Sequence, residues 1–206
     1  MIDAGPFGAW LTAARASLRG EGRGMDVPCG ECVGCCTSSM FVHVGPGDSD
    51  ALAVIPARLL VRAPGRPRGH KLLGFAEDGS CPMFRAGACS IYEHRPRTCR
   101  DYDCRMFAAA GMDAGDDKPV ISERVREWVF SYESADARRA HEAVRAAAAF
   151  IRDGRASFPG GSAPSLPPEI AVLALKTYAL FLEPRATAAA DTAAAIVAAS
   201  REFDAD

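Results

Sequence analysis

Eight cysteines are the residues of this chain whose type and spacing could do chemistry. They all lie between residues 29 and 104 of a 206-residue chain, in two groups. The first group has the pattern C-x2-C-x2-C-C, and the second has C-x7-C-x9-C-x4-C. Two-residue spacing lets a tight turn aim two thiolates at one metal ion or cluster. The predicted metal ligands are Cys29, Cys32, Cys35, Cys36, Cys81, Cys89, Cys99 and Cys104.

The surroundings of these cysteines predict metal binding and no disulfide framework. The N-terminal segment lacks a basic n-region, and Asp3, Arg15 and Arg19 interrupt its apolar residues, so it does not resemble a secretory signal. The sequence contains no run of about 18 apolar residues, so it predicts no membrane-spanning helix. We therefore expect a reducing cytoplasm, where clustered cysteines serve metal binding or catalysis more often than structural disulfides.

Two pairs of cysteines carry a geometric constraint. Cys35 and Cys36 are adjacent, and in extended backbone adjacent side chains point to opposite faces. The pair is therefore predicted to serve two neighbouring metals, or to divide into one ligand and one packed or redox thiol. Cys99 and Cys104 are five residues apart, so they can bind one site only if a helix ends between them.

The expected cofactor is an iron–sulfur cluster or zinc. Eight thiolates could fill two four-coordinate sites, or fill one site and leave reactive thiols. Cys81-Pro82 matches the C-P ending of ferredoxin ligand runs, which favours iron–sulfur slightly. A zinc site that only folds the loops is the alternative. No phosphate-binding loop, dinucleotide fingerprint or Ser-His-Asp pattern is visible, so nucleotide-driven, hydride-transfer and hydrolase functions have no support.

The elements that must position the cysteines are predicted to be mostly helical. We expect a mainly α fold with a small irregular α+β metal-binding core, in which helices pack around cysteine-rich loops. The apolar spacing places Trp128 on one of these helices. Helices are predicted at 6–19, 49–60, 121–131, 136–152, 169–182 and 185–203, and strands at 40–44 and 71–76. The predicted parts are an N-terminal helix with its lead-in (1–26), a cysteine-cluster domain (27–130) and a C-terminal helical region (131–206) with a Pro/Gly linker near 158–168.

Three segments resemble the YkgJ-type cysteine-cluster family, which is also described as a zinc- or iron-chelating CxxCxxCC domain. They are CGECVGCC (29–36), CPMFRAGACSIYEHRPRTCRDYDC (81–104) and KPVISERVREWVF (118–130). The resemblance covers roughly residues 27–130 and all eight cysteines, and it implies metal binding without naming a reaction. One relative, flagellin lysine N-methylase, shares the cysteine domain and transfers methyl groups from S-adenosylmethionine. No glycine-rich methyltransferase loop occurs in this chain, so methyl transfer is a weaker alternative.

Other residues give weaker indications. Arginines near the second cysteine group would lower thiolate pKa values, or would simply pair with nearby acids. The span 51–76 carries five basic residues and no acid, but without interleaved aromatics it is predicted to be a mobile solvated loop. Among the histidines, His94 is the best ligand candidate, and Tyr92 is predicted to lie in the core. The arginines are Arg85, Arg95, Arg97, Arg100 and Arg105.

The sequence predicts two functions of different classes. The first is a redox-active or catalytic metalloprotein with one or two cysteine-ligated iron–sulfur centres. The second is a non-enzymatic zinc module whose helices contact a protein or RNA, and metal storage or delivery is a third, weaker option. The expected partners are a metal ion or cluster and a protein. A membrane is not expected, and nucleic acid has little support because the net charge is only -2.

Overall fold

The computed structural model describes residues 1–22, 24–25, 27–183 and 187–205. In these ranges the chain is mainly α-helical with three small sheets, as predicted. The helices are α1 (Phe7–Leu18), α2 (Ser49–Val54), α3 (Arg97–Asp101), α4 (Arg105–Ala110), α5 (Pro119–Glu127), α6 (Ala135–Asp153), α7 (Pro167–Thr177) and α8 (Ala189–Ala205). The strands are β1 (Ile2–Pro6), β2 (Val42–Val44), β3 (Leu60–Arg62), β4 (Lys71–Leu73), β5 (Phe84–Arg85), β6 (Ala88–Cys89) and β7 (Trp128–Ser131).

The chain divides into two compact units. The helical unit combines both ends of the sequence, Met1–Gly22 and Cys104–Asp206. The cysteine unit is the continuous segment Arg23–Asp103 between them. Seven of the eight cysteines belong to the cysteine unit, and Cys104 is the first residue of the second part of the helical unit. The three-part division predicted from the sequence stays a prediction, since compactness alone does not show where functional domains end.

A parallel pair of strands opens the helical unit. β1 pairs with β7, with Ile2 opposite Trp128 and Pro6 opposite Ser131. The prediction of a helix over 121–131 is therefore wrong at its end, because α5 stops at Glu127. Trp128 and Phe130 are buried while the residues between and after them are exposed, which is the two-residue period of a strand. Aromatic and β-branched residues favour that conformation, and the pairing with β1 uses it.

The long helix α6 is the centre of the helical unit. It matches the predicted helix 136–152 and begins at Ser134, whose hydroxyl accepts a hydrogen bond from the amide of Ala137 at 3.0 Å. Its buried stripe consists largely of alanines, which let α4 and α7 pack closely against it. The stripe ends in the fully buried Ile151, and the helix stops before Gly154.

The other predicted helices differ from the structure mainly at their ends. The predicted helix 6–19 is α1, and Phe7, Trp10 and Leu11 are buried as expected, although Leu18 is only half-buried. The predicted helix 169–182 is α7, which ends at Thr177 and continues as a 3-10 turn. The predicted helix 185–203 is α8, and residues 185 and 186 lie outside the described residues.

The cysteine unit is built on a three-stranded antiparallel sheet in the order β2-β4-β3. Both predicted strands are present but shorter than expected, and the predicted helix 49–60 ends at Val54, ahead of Pro56. The hairpin β5-β6 and the helices α2 and α3 complete the unit. A small core joins these elements, and Cys81, Cys89 and Cys99 pack against it. Its buried residues are Val42, Val44, Ala51, Ile55, Leu73, Met83 and Ile91.

Candidate metal centre

Seven cysteines line a single cavity of about 840 Å³ inside the cysteine unit. Most of the other lining side chains are apolar, among them Met40, Leu73 and Met83. The charged residues at its wall are Glu31 and Arg95. The structure thus brings together nearly all the ligands predicted from the sequence. The lining cysteines are Cys29, Cys32, Cys35, Cys36, Cys81, Cys89 and Cys99.

Tight turns position the first cysteine group. The amide of Cys32 donates to the carbonyl of Cys29 at 3.0 Å, and Gly30 between them has a left-handed φ of 56°. A 3-10 turn, Gly34–Cys36, follows directly. The carbonyl of Cys36 then accepts a hydrogen bond from the amide of Cys81 at 2.7 Å. This bond ties the first cysteine group to the second across 45 residues of sequence.

The adjacent cysteines do not point apart. The extended backbone assumed for this pair is absent, because Cys35 and Cys36 lie on a 3-10 turn, and the division of the two thiols between metals stays a prediction. Their sulfur atoms are 4.0 Å apart and share a hydrogen bond. Both sulfurs can therefore contribute to one multinuclear centre.

A hairpin and a short helix position the second group. Cys81 precedes β5, where its carbonyl accepts a hydrogen bond from the amide of Phe84 at 2.8 Å. Cys89 lies on β6 opposite Phe84. Cys99 lies on α3, whose first amide, at Arg97, donates to the Asp48 carboxylate at 2.7 Å. The buried carboxylate satisfies one of the free amides at the helix start and so fixes the position of Cys99.

Cys104 has a different environment. Helix α3 ends at Asp101, so the helix end that the sequence required between Cys99 and Cys104 is present. Cys104 immediately precedes α4 in the helical unit and is buried. Its sulfur accepts a hydrogen bond from the indole nitrogen of Trp128 at 3.3 Å. Its role as the eighth ligand stays a prediction.

The thiols of the cavity differ in their acidity. Burial raises the pKa of Cys81, and it raises the pKa of Cys99 to about 12. The hydrogen bond between the adjacent thiols raises the pKa of Cys35 and lowers that of Cys36. The positive charge of Arg95 acts in the opposite direction on Cys35 and Cys99. A metal ion that binds to the high-pKa thiols must therefore displace their protons.

The donor set fits a thiophilic metal. Thiolates bind zinc and the irons of iron–sulfur clusters, whereas magnesium and calcium prefer oxygen. Within the described ranges, no three His, Cys, Asp or Glu side chains converge as ligands of one ion. The cysteines share a cavity, and their partition between metal ions belongs to the proposal below.

Tyr92, His94 and the arginines near the second cysteine group differ in how close they lie to the cavity. Tyr92 is 53 % exposed, so its predicted place in the core is wrong, and the Arg95 guanidinium lies 3.5 Å from its ring centroid. His94 is exposed, and no histidine occurs among the described residues that line the cavity. Arg97 pairs with Asp101 at 2.7 Å, as the simpler interpretation of these arginines expected. Of the five arginines considered, Arg95 is at the cavity wall.

Sequence reasoning missed a pair of histidines. His43 Nε2 and His70 Nδ1 are 2.8 Å apart, and their rings are nearly parallel, with centroids 5.0 Å apart. His43 faces Leu72 across the β2–β4 pair, which places it diagonally next to His70. Burial lowers the pKa of His43, and the charges of His70 and Arg66 lower it further. The sequence separation of 27 residues gave no sign of this pair, since it depends on strand register.

These features define a cysteine-lined site of the kind that binds thiophilic metals. Residues 28–118 match the model of the CxxCxxCC family, described as "Putative zinc- or iron-chelating domain". The family model thus matches the part of the chain in which the cysteine pattern predicted the resemblance, and the matched segment contains all eight cysteines. No curated protein and no solved structure matches the chain. Within the part of the chain that the structure describes, no helix is long and apolar enough to cross a membrane.

Proposed function

We propose that the protein holds an iron–sulfur centre in the cysteine cavity and uses it for electron transfer or catalysis. The observation that carries this proposal is that seven cysteines line one cavity, with the sulfurs of Cys35 and Cys36 4.0 Å apart. The family description, zinc- or iron-chelating, agrees with either metal. The choice of iron–sulfur rests on the number of thiols and on their surroundings.

The number of thiols exceeds what a single zinc ion uses. A structural zinc site is closed by four ligands. Seven cysteines around one cavity leave three more than that number, and also three more than the four that hold one iron–sulfur cluster, so we propose a centre larger than a single four-cysteine site. The two adjacent sulfurs favour the same conclusion, because neighbouring metal ions in one cluster can each take one of them. We include Cys104 as an eighth proposed ligand.

The surroundings suit a redox centre. Apolar side chains such as Met83 and Ile91 make up much of the wall, and such a lining excludes water from a bound cluster and adjusts its potential. Arg95 supplies positive charge next to Cys35 and Cys99, which offsets part of the negative charge of the thiolates. A bound iron–sulfur cluster would supply one-electron chemistry. The chain's own residues would hold it, limit water and balance its charge.

A structural zinc module is the second candidate. The observation that favours it is the small core of the cysteine unit, which has only seven buried apolar residues in its main cluster. A unit of this kind gains much of its stability from a metal. Both candidates agree with a reducing compartment such as the cytoplasm, which we infer because free thiols have to persist until metal binds.

Anaerobic purification from iron-supplemented cells tests the proposal. We expect brown protein with iron, sulfide and absorbance at roughly 400 nm, where thiolate-bound clusters absorb. Cys36→Ser should lose most of this absorbance. The matched control is Thr98→Ala, which changes a cavity-lining residue without removing a thiol and should keep the cluster. Colourless protein with stoichiometric zinc would overturn the iron–sulfur proposal and favour the zinc module.

Cys104→Ser decides the place of the eighth cysteine. If Cys104 is a ligand, this variant should lose iron to a similar extent as Cys36→Ser. Full iron content in Cys104→Ser, together with loss in Cys36→Ser, would restrict the site to the seven cysteines of the cavity.

A further inference from the structure

The outer face of the sheet β2-β4-β3 is exposed and carries aromatic side chains. Val42 and Leu73 point into the core of the cysteine unit, so by strand alternation their neighbours point outward. Phe41 is 63 % exposed at one end of this face. Phe75 is 41 % exposed and lies against it, with ring centroids 5.0 Å apart. Two phenyl rings are thus presented to solvent as an adjacent pair. We call the following residues the outer sheet face: Phe41, His43, Val61, His70, Leu72 and Phe75.

Positive charge is concentrated at the other end of the same strands. The segment that contains β3, its turn and β4 has five basic residues and no acidic residue. Within the described part of the chain, none of the five forms an ion pair. Arg62 and Lys71 are direct cross-strand partners in register with the buried Val44, so they lie on the opposite face of the sheet, and the cations next to the outer sheet face are Arg66 and Arg68 between the two strands. The five are Arg58, Arg62, Arg66, Arg68 and Lys71.

The loop between β3 and β4 is held in place. The amide of Ala63 donates to the carbonyl of His70 at 3.1 Å, and Ala63 itself is buried. The amide of Arg66 donates to the carbonyl of Ala63 at 3.4 Å. The loop that the sequence predicted to be mobile is therefore exposed but hydrogen-bonded. Its arginines are presented from a defined backbone.

The nearby negative charge is already compensated. Asp48 is the carboxylate that acts on His43, but it is buried. One of its oxygens accepts hydrogen bonds from Gly45 and the other from Arg97, and Arg100 lies 3.7 Å away. Asp48 therefore does not balance the positive charge of the arginines in the loop between β3 and β4.

We propose that the outer sheet face and the β3–β4 loop bind a single-stranded nucleic acid. The bases would stack on Phe41 and Phe75, and the phosphates would lie at the loop arginines. Exposed aromatic rings beside unpaired arginines are the combination with which proteins bind single strands. From Phe41 to the loop the strands span roughly 15 Å, at about 3.3 Å per residue, so the face holds only a few nucleotides.

The aromatic pair is what favours a single strand over other anions. An acidic protein segment would satisfy the arginines but would leave both rings in water. A duplex would offer its phosphates, but its paired bases are not free to stack on side chains. The low net charge of the chain does not oppose this proposal, because the positive charge is local. Phe41 also lines the cysteine cavity, although the proposal does not depend on which metal that cavity holds.

Fluorescence anisotropy of the metal-loaded full chain tests the proposal. The probe is a fluorescein-labelled 15-nucleotide oligo(U) RNA, titrated at 50 and 150 mM KCl. The variant Arg66→Glu/Arg68→Glu should bind at least about tenfold more weakly, and its salt dependence should flatten by about 0.7 per lost phosphate contact. Phe75→Ala, which leaves the cavity lining intact, should weaken binding at least about threefold without changing the salt dependence.

The matched control is Arg155→Glu/Arg201→Glu, which reverses two exposed arginines outside the cysteine unit. It alters net charge equally and should retain affinity within about twofold. The proposal fails if oligo(U) does not bind at 50 mM KCl, if the control loses as much affinity as the loop variant, or if neither test variant loses affinity. Equal, loop-dependent binding of a polyglutamate peptide would instead assign the face to an acidic protein. All variants must match the parent in metal content and circular dichroism.

Discussion

Cys35 and Cys36 differ in acidity although they are adjacent. Their shared hydrogen bond favours a proton on Cys35 and lowers the pKa of Cys36, whereas burial raises the pKa of Cys99. Since the thiolate is the nucleophile and the metal ligand, Cys36 is the thiol best prepared to react first.

In metal-free protein we expect iodoacetamide to alkylate Cys36 faster than Cys99 at pH 7. Mass spectrometry of timed digests measures both rates. Cys35→Ala removes the hydrogen-bond donor and should slow the reaction of Cys36, while Thr98→Ala should leave it unchanged. Equal rates at the two cysteines would contradict this assignment of the proton.

His141 also has a displaced pKa. It is buried in the helical unit and stacks on Phe7, with the ring centroids 4.2 Å apart. Its Nδ1 lies 2.8 Å from the Tyr132 hydroxyl. Burial, with a smaller contribution from the charge of Arg145, lowers its pKa to about 4. Nε2 makes no hydrogen bond to a described residue, although the backbone of Ala108 and Ala109 near the ring slightly favours a proton.

We expect the helical unit to lose stability as the pH falls from about 6.5 to about 4. In this window the unfolded chain binds a proton at His141 and the folded chain does not, so protonation favours unfolding. The shift corresponds to at most about 3 kcal/mol at pH 4. Urea unfolding across this pH range measures the effect, and His141→Phe should flatten the dependence. If the free energy of unfolding of His141→Phe depends on pH as steeply as that of the parent, other groups cause the loss of stability.

Among the elements, the parallel pair β1–β7 depends on Trp128. Its ring is buried, and its indole nitrogen donates to the Cys104 sulfur. Arg105 also contacts this strand pair: its buried guanidinium donates a hydrogen bond to the Ala4 carbonyl of β1 at 3.1 Å. Together these contacts join the start of the chain to the segment after the cysteines.

We expect Trp128→Phe to lower the free energy of unfolding by about 1–2 kcal/mol. The variant keeps a buried aromatic ring but removes the hydrogen-bond donor to Cys104 and some packing volume. Urea unfolding followed by circular dichroism measures the change. Val129→Thr, on the exposed face of the same strand, is the control and should change stability by less than about 0.5 kcal/mol. A similar loss in both variants would point to strand propensity as the cause.

A second contact between elements involves Arg15 of α1. Its guanidinium donates to the carbonyls of Leu175 and Lys176, at 2.6 and 2.9 Å, and so caps the C-terminal end of α7. The same group lies 4.7 Å from the Phe203 ring centroid of α8. One side chain thereby connects three helices.

We expect Arg15→Met to destabilise the helical unit by about 1–3 kcal/mol. Methionine keeps most of the apolar stem but leaves two carbonyls without their charged donor. Thermal unfolding measures the loss, and Arg139→Met, on the exposed side of α6, is the control. Arg15→Lys should restore only part of the stability, since an ammonium cannot reproduce the planar geometry. Full stability in Arg15→Met would show that the cap contributes little.

The sequence predicted elements that depend on local interactions better than elements that depend on contacts between distant residues. Helices with a clear apolar stripe, such as α1 and α6, were predicted nearly to the residue because their signal is local. The strand β7 was missed because its partner β1 is more than 120 residues away. The cysteine cavity was expected from spacing, but the turn at Cys35 and Cys36 was not, since its conformation depends on contacts with the second cysteine group. The outer sheet face also depends on strand register.

For the whole molecule, the two units differ in what holds them together. The helical unit contains the long helix α6 and many fully buried side chains, such as Val144 and Leu175. The cysteine unit has a smaller core with short strands, and three of its cysteines pack against that core. A bound metal would therefore contribute a larger share of stability to the cysteine unit.

We expect removal of the metal to loosen the cysteine unit selectively. Hydrogen exchange with mass spectrometry should show at least about tenfold faster exchange in peptides from β2, β4 and α3 after chelation. Peptides from α6 and α7 should change little and serve as the internal control. Metal reloading should reverse the change. An equal increase in both units would mean that the chain unfolds as one cooperative body.

The helical unit is assembled from both ends of the chain, and this has a consequence for biosynthesis. The ribosome completes all of the cysteine unit before β7, α6 and α7 have been made. At about 5–20 residues per second, the interval from residue 103 to the end of α7 lasts roughly 4–15 s. β1 waits without its partner strand until β7 is complete at Ser131, and the seven cavity cysteines, the last of which is Cys99, are synthesised before that point. We infer that metal can reach these cysteines on the nascent chain, before the helical unit is complete.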